Sequence, residues 1–214
     1  PPSLGGMEER VKELVYRLKT LRVPLEVITS SMGATPGDVV EDGIRIHEDT
    51  KVAVEIFARD NKVEMVKPFV LVVAKDTDHA GQIRSLIQSN AFFKGRYTDK
   101  VMEIHSNQRG GEKEENIRQL LSLESIDNKI EIVIHVNMLK EGWDVTKLYT
   151  IIPLRTAAST TLREQTLGRG LRLPYGKRTG DRKVDTLTIV AHDKFQEIID
   201  EANRPDSIIR QKNI

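Results

Sequence analysis

The apolar run Phe69–Ala74 constrains the fold of this chain more than any other part of its sequence. Its residues, Phe-Val-Leu-Val-Val-Ala, are all apolar, and half of them are β-branched valines. A strand with one solvent-exposed face alternates polar and apolar residues. A continuous apolar run therefore indicates a strand buried on both faces. We therefore predict that this run, which follows Pro68, is a strand inside a sheet covered on both sides.

Predicted strands and helices alternate after this run, with Thr77 or Asp78 available to cap the first helix. Such alternation predicts βαβ units with right-handed crossovers. We therefore predict an α/β fold of three layers with a mostly parallel central sheet, and ligands at the carboxyl ends of its strands. The other predicted strands are Val101–His105, Ile130–Asn137, Leu148–Pro153 and Thr186–Ala191, and the predicted helices are Thr77–Ser89, Glu112–Ser122, Thr161–Gly170 and Lys194–Ala202.

Residues 1–66 have a different pattern and are predicted to be an N-terminal helical segment. Glu8–Leu21 has apolar residues at helical spacing, and a second helix is predicted over Arg45–Asp60. The glycines and proline of Ser30–Gly43 predict a turn-rich stretch between the two helices. We therefore divide the chain into a helical connecting segment, residues 1–66, and an α/β domain, residues 67–214.

The composition of the 214 residues excludes several classes of protein. The sequence has no cysteine, and its five histidines lack metal-ligand spacing, so we predict no metal site. It has no apolar run near the ~20 residues that span a bilayer. No signal-peptide pattern is found either, which predicts a cytoplasmic protein without membrane contact.

Polar residues follow four of the predicted strands, where each apolar segment ends. Because the carboxyl ends of parallel strands meet at one edge of a sheet, we expect these segments to lie together. They are Lys75–Thr77, Ser106–Asn107, Asn137–Asp144 and Leu154–Ser159.

The third segment contains Glu141-Gly142-Trp143-Asp144, a glycine between two carboxylates beside the only tryptophan. Glycine permits a tight turn whose N–H groups can approach a phosphate or ribose. Asp144 can then accept a ribose hydroxyl or orient an arginine. The alternative is an ordinary turn in which Trp143 packs in the core.

The segment Gln165–Arg172 carries the strongest signal for a binding site. Thr161-Leu-Arg-Glu164 fits a capping box, so a helix is predicted to start there. On that helix Gln165, Arg169 and Arg172 share one face, which presents several donors to phosphate oxygens. Gly168 and Gly170 are poor helix formers, so their presence indicates that a ligand approaches the backbone.

Positive charge is concentrated around this segment. Residues 155–183 contain eight basic and two acidic side chains, an excess of six positive charges. Such a density suits the phosphates of a nucleotide or a nucleic acid. The alternative is a solvated basic loop.

Two motifs of nucleotide hydrolysis are absent from the sequence. There is no phosphate-binding loop, since Gly176–Thr179 has arginine at its third position. There is also no Asp-Glu-x-His or Asp-Glu-x-Asp strand end to hold magnesium. We therefore predict that this chain alone does not hydrolyse ATP.

These motifs together resemble the C-terminal RecA-like lobe of a superfamily-two helicase, and most closely the restriction (Res) subunit of type III restriction enzymes. Asn137–Val145 is similar to motif V of that family, and Thr161–Pro174 is similar to motif VI. Pro68–Thr77 occupies the place of motif IV. The resemblance extends from Pro68 to Ala202.

The resemblance implies that ATP and magnesium bind between this lobe and an N-terminal RecA-like lobe of the same polypeptide. Arg169 and Arg172 would then reach the γ-phosphate, one or both as an arginine finger. Gln165 would sense the nucleotide, and Gly142 and Asp144 would couple it to motif VI. The residues implied to bind the nucleotide are Glu141, Gly142, Asp144 and Gly168.

The resemblance also implies that strand-end residues hold the DNA backbone without reading its sequence. A modification (methyltransferase) subunit is the implied partner that recognises the DNA site, and a nuclease domain is expected outside this chain. The residues implied to contact nucleic acid are Thr77, Ser106, Asn137, Met138 and Lys140.

Two other functions remain open from the sequence. The chain can be a lobe of a DNA-repair or RNA helicase without a restriction role. It can also be a nucleic-acid-binding adaptor that has lost its partner lobe. The face formed by Gln165, Arg169 and Arg172 argues against the adaptor, because a pure binder has no use for a γ-phosphate finger.

Overall fold

The computed structural model describes residues 24–31, 33–105, 114–115, 118–120, 122–136, 146–154, 173–191 and 209–213. Within these ranges seven strands form one sheet, and all the paired strands in it are parallel. The strands are β1 (Leu25–Thr29), β2 (Phe69–Val73), β3 (Val101–His105), β4 (Ile132–Val136), β5 (Leu148–Pro153), β6 (Leu187–Ala191) and β7 (Ile209–Asn213). The helices are α1 (Pro36–Asn61), α2 (Thr77–Gln88) and the four-residue α3 (Arg182–Asp185), with a 3-10 turn at Phe92–Gly95.

The apolar run that follows Pro68 is confirmed as a central strand. The strand order is β3-β4-β2-β5-β6-β1-β7, so β2 lies between β4 and β5. All five of its residues are buried, as the lack of alternation predicts. The other predicted strands are confirmed with ends that shift by at most two residues. The predicted α/β fold with a parallel sheet is therefore confirmed.

Helices α1 and α2 cover the same face of the sheet. Ile44 of α1 and Ile83 of α2 belong to one buried cluster with Val72, Ile134 and Ile152 of the strands. The aliphatic residues of this cluster are almost completely removed from water. At about 25 cal/mol for each Å² buried, such a core is the main source of folding free energy.

The prediction that residues 1–66 are mostly helical is wrong for Leu25–Thr29. These residues form β1, which pairs with β6 on one side and β7 on the other. Strand β1 therefore belongs to the same sheet as the strands after Pro68. The proposed division of the chain at residue 66 stays a prediction.

The turn-rich stretch predicted over Ser30–Gly43 is also wrong, because α1 begins at Pro36. Thr35 caps this helix in a capping box with Asp38, and Pro36 fills the first turn, where its missing N–H is not needed. Gly43 is buried inside α1, where an added Cβ would lie 2.3 Å from Ile152 Cδ1. The glycine therefore marks a close approach of helix to sheet.

The cap of α2 differs from the predicted Thr77 or Asp78. Asp76 is the N-cap, and its Oδ1 accepts a hydrogen bond of 2.8 Å from the His79 N–H. The helix itself ends at Gln88, one residue before the predicted end.

A left-handed turn connects α2 to β3. Phe93 and Lys94 have φ values of 46° and 57°, which cost about 1–3 kcal/mol each in residues other than glycine. The Phe93 ring packs 4.9 Å from Phe92 and 5.8 Å from Tyr97, and the Arg45 guanidinium lies 5.6 Å above it. Burial of these rings offsets the strain of the turn.

Several predicted helices lie outside the described residues: Glu8–Leu21, Thr161–Gly170 and Lys194–Ala202. Of Glu112–Ser122, the structure describes residues 114–115 and 118–120, which are helical, and Ser122, which lies in a turn.

Candidate nucleic-acid interface

The carboxyl ends of the described strands meet at one edge of the sheet, which we call the carboxyl edge. This follows from the parallel pairing, since every strand runs in the same direction. Strand β3 ends at His105 and β4 ends at Val136, directly before Ser106 and Asn137 in the sequence. The strands therefore lead to the segments predicted to contact nucleic acid.

Thr77 is the predicted site residue that the structure describes. It is the first residue of α2, directly after the Asp76 cap, and it is exposed. The first N–H groups of a helix have no partners within the helix, and they carry partial positive charge. A hydroxyl beside them is well suited to a phosphate oxygen.

The residues around Thr77 are held in place by short-range hydrogen bonds. The Lys75 N–H donates to Nδ1 of His79 over 3.3 Å. Lys75 Nζ lies 3.9 Å from Asp76 Oδ2 and remains well exposed. This end of α2 therefore combines amides, a hydroxyl and an ammonium group with the Asp76 carboxylate.

The connection from β1 to α1 also reaches the carboxyl edge, which the sequence analysis missed. The Ser30 N–H donates to the Ala191 carbonyl over 3.1 Å, and Ser30 Oγ donates to Asp42 Oδ2 over 2.9 Å. Gly33 has a φ of 85°, which favours glycine. The signal that could have found this connection is the Thr35-Pro36 helix start.

The remaining predicted site residues lie outside the described residues, so their predicted roles stay predictions. Their placement relative to Thr77 is equally a prediction. They are Ser106, Asn137, Met138, Lys140, Glu141, Gly142, Asp144, Gln165, Gly168, Arg169 and Arg172.

A half-buried ionic network lies at the opposite, amino edge of the sheet and was also missed. At its centre is Glu131, which precedes β4 and accepts from Lys51 at 2.8 Å and Lys100 at 2.6 Å. His47 Nε2 lies 3.4 Å from the same carboxylate. We call this set the Glu131 network; its other members are Glu48, Arg96 and Tyr97.

The pKa values of this network follow from burial and charge. Burial alone would raise the pKa of Glu131, but hydrogen bonds from His47, Lys100 and Lys51 outweigh it and hold the pKa well below its ordinary range. Burial lowers the pKa of His47, although Glu131 opposes that shift. The network is therefore built from an ionised glutamate and a neutral histidine at pH 7.

Lys67 is another half-buried cation near the amino edge. Its ammonium group donates to the carbonyls of Leu123, Asn128 and Ile130, which uses all three of its protons. Burial lowers the pKa of Lys67 to about 8. This lysine fixes the turn that leads into β4.

A groove of about 480 Å³ opens between α1, β1 and α3. Its walls contain two carboxylates, Glu26 and Asp49, and two cations, Arg182 and Lys183. Because both signs of charge are present, the groove itself does not select an anion.

Metal-binding clusters and membrane-spanning helices are both absent from the described ranges. No group of three or more His, Cys, Asp or Glu residues in these ranges is placed to hold a metal ion. Likewise, none of the helices in these ranges is long and apolar enough to cross a membrane.

Known proteins resemble this chain both in fold and in sequence. The structure of S. cerevisiae Dbp5 bound to RNA and ADP BeF3 superposes with a TM-score of 0.53 and 13% identity, covering 89% of this chain and 42% of that one. At this identity the likeness shows the fold alone, a parallel α/β fold of the RecA-like kind. No family model matches the chain.

Two curated proteins are related to the chain in sequence. The EcoP15I Res subunit of Escherichia coli is 34% identical over 113 residues, 44% of this chain and 12% of that protein. The EcoPI Res subunit of Escherichia phage P1 is 28% identical over 144 residues, 66% of this chain and 14% of that protein. The predicted resemblance to Res subunits is confirmed: the chain is similar in sequence to Res subunits of type III restriction-modification enzymes. It spans about an eighth of the length of these relatives.

Proposed function

We propose that this chain is the second motor lobe of an ATP-dependent DNA translocase, within the Res subunit of a type III restriction endonuclease. The relation to the EcoP15I and EcoPI Res subunits carries this proposal. The N-terminal lobe of the same polypeptide and a methyltransferase subunit are its proposed partners. Like its relatives, the complete protein would be the Res subunit of a type III restriction-modification enzyme.

The order of strands and motifs supports the proposal. Strands β3 and β4 end one residue before Ser106 and Asn137, and β5 ends two residues before Arg155. Strand β4 therefore ends directly before the segment that resembles motif V, and β3 and β5 lead to two other polar segments at the same edge. Such an edge is where ligands of parallel α/β folds bind.

In the proposed mechanism ATP is the substrate, and it lies between the two lobes. Arg169 and Arg172 donate hydrogen bonds to the γ-phosphate as negative charge spreads over its oxygens. Gln165 senses the nucleotide, and Glu141, Gly142, Asp144 and Gly168 line its site. Magnesium would be held by the N-terminal lobe, which supplies the phosphate-binding loop.

DNA is proposed to run along the carboxyl edge. The N-terminus of α2 and the Thr77 hydroxyl would hold a backbone phosphate, together with Ser106, Asn137, Met138 and Lys140. Closure of the cleft on ATP would shift this edge relative to the first lobe, and hydrolysis would release it. Repeated closure and opening gives translocation.

The test is DNA-stimulated ATP hydrolysis by the full-length protein carrying Arg172→Ala, at saturating nucleotide. We expect turnover to fall at least about 100-fold with DNA affinity nearly unchanged, as for a group that acts in the transition state. Arg163→Ala is the matched control, because Arg163 falls on the opposite face of the predicted helix. Unchanged turnover in both Arg172→Ala and Arg169→Ala would contradict the arginine-finger role. Stimulation by RNA but not by duplex DNA would contradict the restriction role.

A further inference from the structure

Residues 173–183 comprise the loop before α3 and the first two residues of that helix, and we call them the basic loop. They expose four cations next to the amino end of β6. They are Lys177, Arg178, Arg182 and Lys183, and Asp181 is the exposed carboxylate among them. Arg182 lies 3.5 Å from Glu26. In the described ranges none of the other three cations makes an ion pair within 4.0 Å. The outer surface of the loop therefore carries an excess of positive charge.

The conformation of the basic loop is fixed by a buried carboxylate. Asp185, which is 4% exposed, accepts hydrogen bonds from the Thr179 N–H at 2.9 Å, the Thr179 hydroxyl at 2.9 Å and the Gly180 N–H at 3.0 Å. Because this carboxylate is committed to the loop backbone, it is not placed to bind the exposed lysines.

Two further features hold the loop in one shape. Gly176 and Gly180 have φ values of 69° and 85°, and the Gly176 N–H donates to the Leu173 carbonyl over 2.8 Å. The Tyr175 ring packs 5.4 Å from that of Phe57 on α1. A loop already ordered loses less conformational entropy when its side chains bind a ligand. A merely solvated loop has no need of these supports.

The basic loop is separate from the carboxyl edge. It leads directly into β6, which begins at Leu187, whereas Thr77 follows the end of β2. Five residues of strand span about 17 Å, so the two surfaces lie at opposite edges of the sheet.

The chemistry of the loop favours a nucleic acid over a protein partner. Protein interfaces are enriched in aromatic and apolar side chains at their centre. The exposed large apolar residues in the described ranges are Val52, Ile56, Val63, Leu86 and Ile126, and none of them is in the loop. Lysine and arginine on an ordered backbone are the usual donors to phosphodiester oxygens.

We propose that Lys177, Arg178 and Lys183 form a second nucleic-acid contact, which binds the DNA backbone without reading its sequence. This inference rests on the proposed function, since it requires a protein that binds DNA. The contact lies at the amino edge of the sheet, away from the proposed track.

The test is the salt dependence of DNA binding by the full-length protein, measured by fluorescence anisotropy on a duplex of random sequence. Log affinity falls as log salt rises, and each phosphate contact makes that slope steeper by about 0.9. The triple variant Lys177→Gln, Arg178→Gln, Lys183→Gln is expected to make the slope shallower by about 2 to 3. The charge-matched control is Arg59→Gln, Arg118→Gln, Lys129→Gln, which removes three exposed cations that already face carboxylates. It is expected to change the slope by less than about 1.

The variant Lys177→Arg, Arg178→Lys, Lys183→Arg keeps all three positive charges and should keep the original slope. It therefore distinguishes a loss of charge from a change in the folding of the loop. Equal slopes for the glutamine variant and the control would overturn the inference while leaving the motor function intact. An unaltered protein that does not bind nucleic acid would instead overturn the proposed function. Unchanged DNA binding with loss of binding to an acidic peptide, poly-glutamate, would assign the loop to a protein partner and also overturn the inference.

Discussion

Lys51 Nζ donates to Glu131 Oε2 over 2.8 Å and so joins the middle of α1 to the residue that precedes β4. Lys100, directly before β3, donates to the other oxygen of the same carboxylate over 2.6 Å. One side chain that is 12% exposed therefore ties a helix to the starts of two strands. Its removal should be costly, because Lys100 would lose the carboxylate that faces it and Lys51 would keep only Glu48 as a counter-charge.

Glu131→Gln is expected to lower the free energy of unfolding by about 3 kcal/mol, the low end for breaking a buried ion pair from one side. Urea unfolding followed by circular dichroism measures this change. Glu115→Gln is the control, since its carboxylate is 52% exposed beside Arg118 and should contribute less than about 0.5 kcal/mol. A loss no larger than that of the control would show that the Glu131 network does not stabilise the fold.

Stability is expected to fall in two stages as the pH is lowered. The pKa of His47 is lowered from its ordinary 6.5, so below that pH the unfolded chain binds a proton that the folded chain excludes. The pKa of Glu131 is likewise lowered from 4.5, so its contribution is present above that pH and is lost below it. Each stage has a slope of at most about 1.4 kcal/mol per pH unit.

Urea unfolding between pH 8 and pH 3 separates the two stages. In Glu131→Gln the free energy of unfolding should still fall below pH 6.5, because His47 is unchanged. The further fall below pH 4.5 that comes from Glu131 should be absent. A variant profile parallel to that of the unaltered protein below pH 4.5 would contradict this assignment.

Gly43→Ala is expected to destabilise the fold by about 1–3 kcal/mol through overpacking. The new Cβ would lie 2.3 Å from Cδ1 and 2.8 Å from Cγ1 of Ile152, a residue with 0% exposure. The matched control is Gly81→Ala in α2, where the added Cβ meets nothing within 4 Å apart from its chain neighbours and the backbone of its own helix. This control should stabilise by about 0.5–1 kcal/mol, because alanine favours a helix. Melting temperatures that move in the same direction would refute the close approach at Gly43.

Thr77→Ala is expected to weaken DNA binding by the full-length protein about fivefold, the effect of losing one hydrogen bond of about 1 kcal/mol. The control Ser85→Ala removes another exposed hydroxyl of α2, one that donates to the Gly81 carbonyl over 2.8 Å. Anisotropy with duplex DNA measures both affinities. Equal affinities for the two variants would remove Thr77 from the proposed track.

The sequence predicted those elements whose signal is local. The run at Phe69–Val73 carries its own evidence of burial, and β5 was predicted with its observed ends. The start of α1 was missed because Pro36 and Gly37 are typical of turns as well as of a first helical turn. Strand β1 was missed because a five-residue segment has too little periodicity to outweigh helical patterns on both sides.

The residues of the candidate site were predicted from sequence motifs, whereas the position of the edge that carries Thr77 comes from the structure. The order of the strands supports a common edge for the motifs, and Thr77 is exposed on it. The contacts of Glu131 with His47 and Lys51 could not be predicted, because residues 80 or more positions apart meet only through tertiary packing. The basic excess of residues 155–183 was visible, but the support from Asp185 was not.

The placement of β1 has a consequence for how the chain matures during synthesis. Leu25 pairs with Leu187, which is 162 positions later in the chain. At about 5–20 residues per second, a ribosome needs about 8 to 30 s to make that partner. Until then β1 has neither of its neighbours and presents two unpaired edges to the cell. A chaperone that recognises extended apolar segments therefore has a long opportunity at Leu25–Thr29, which is made before the other described strands and is among the last of them to be paired.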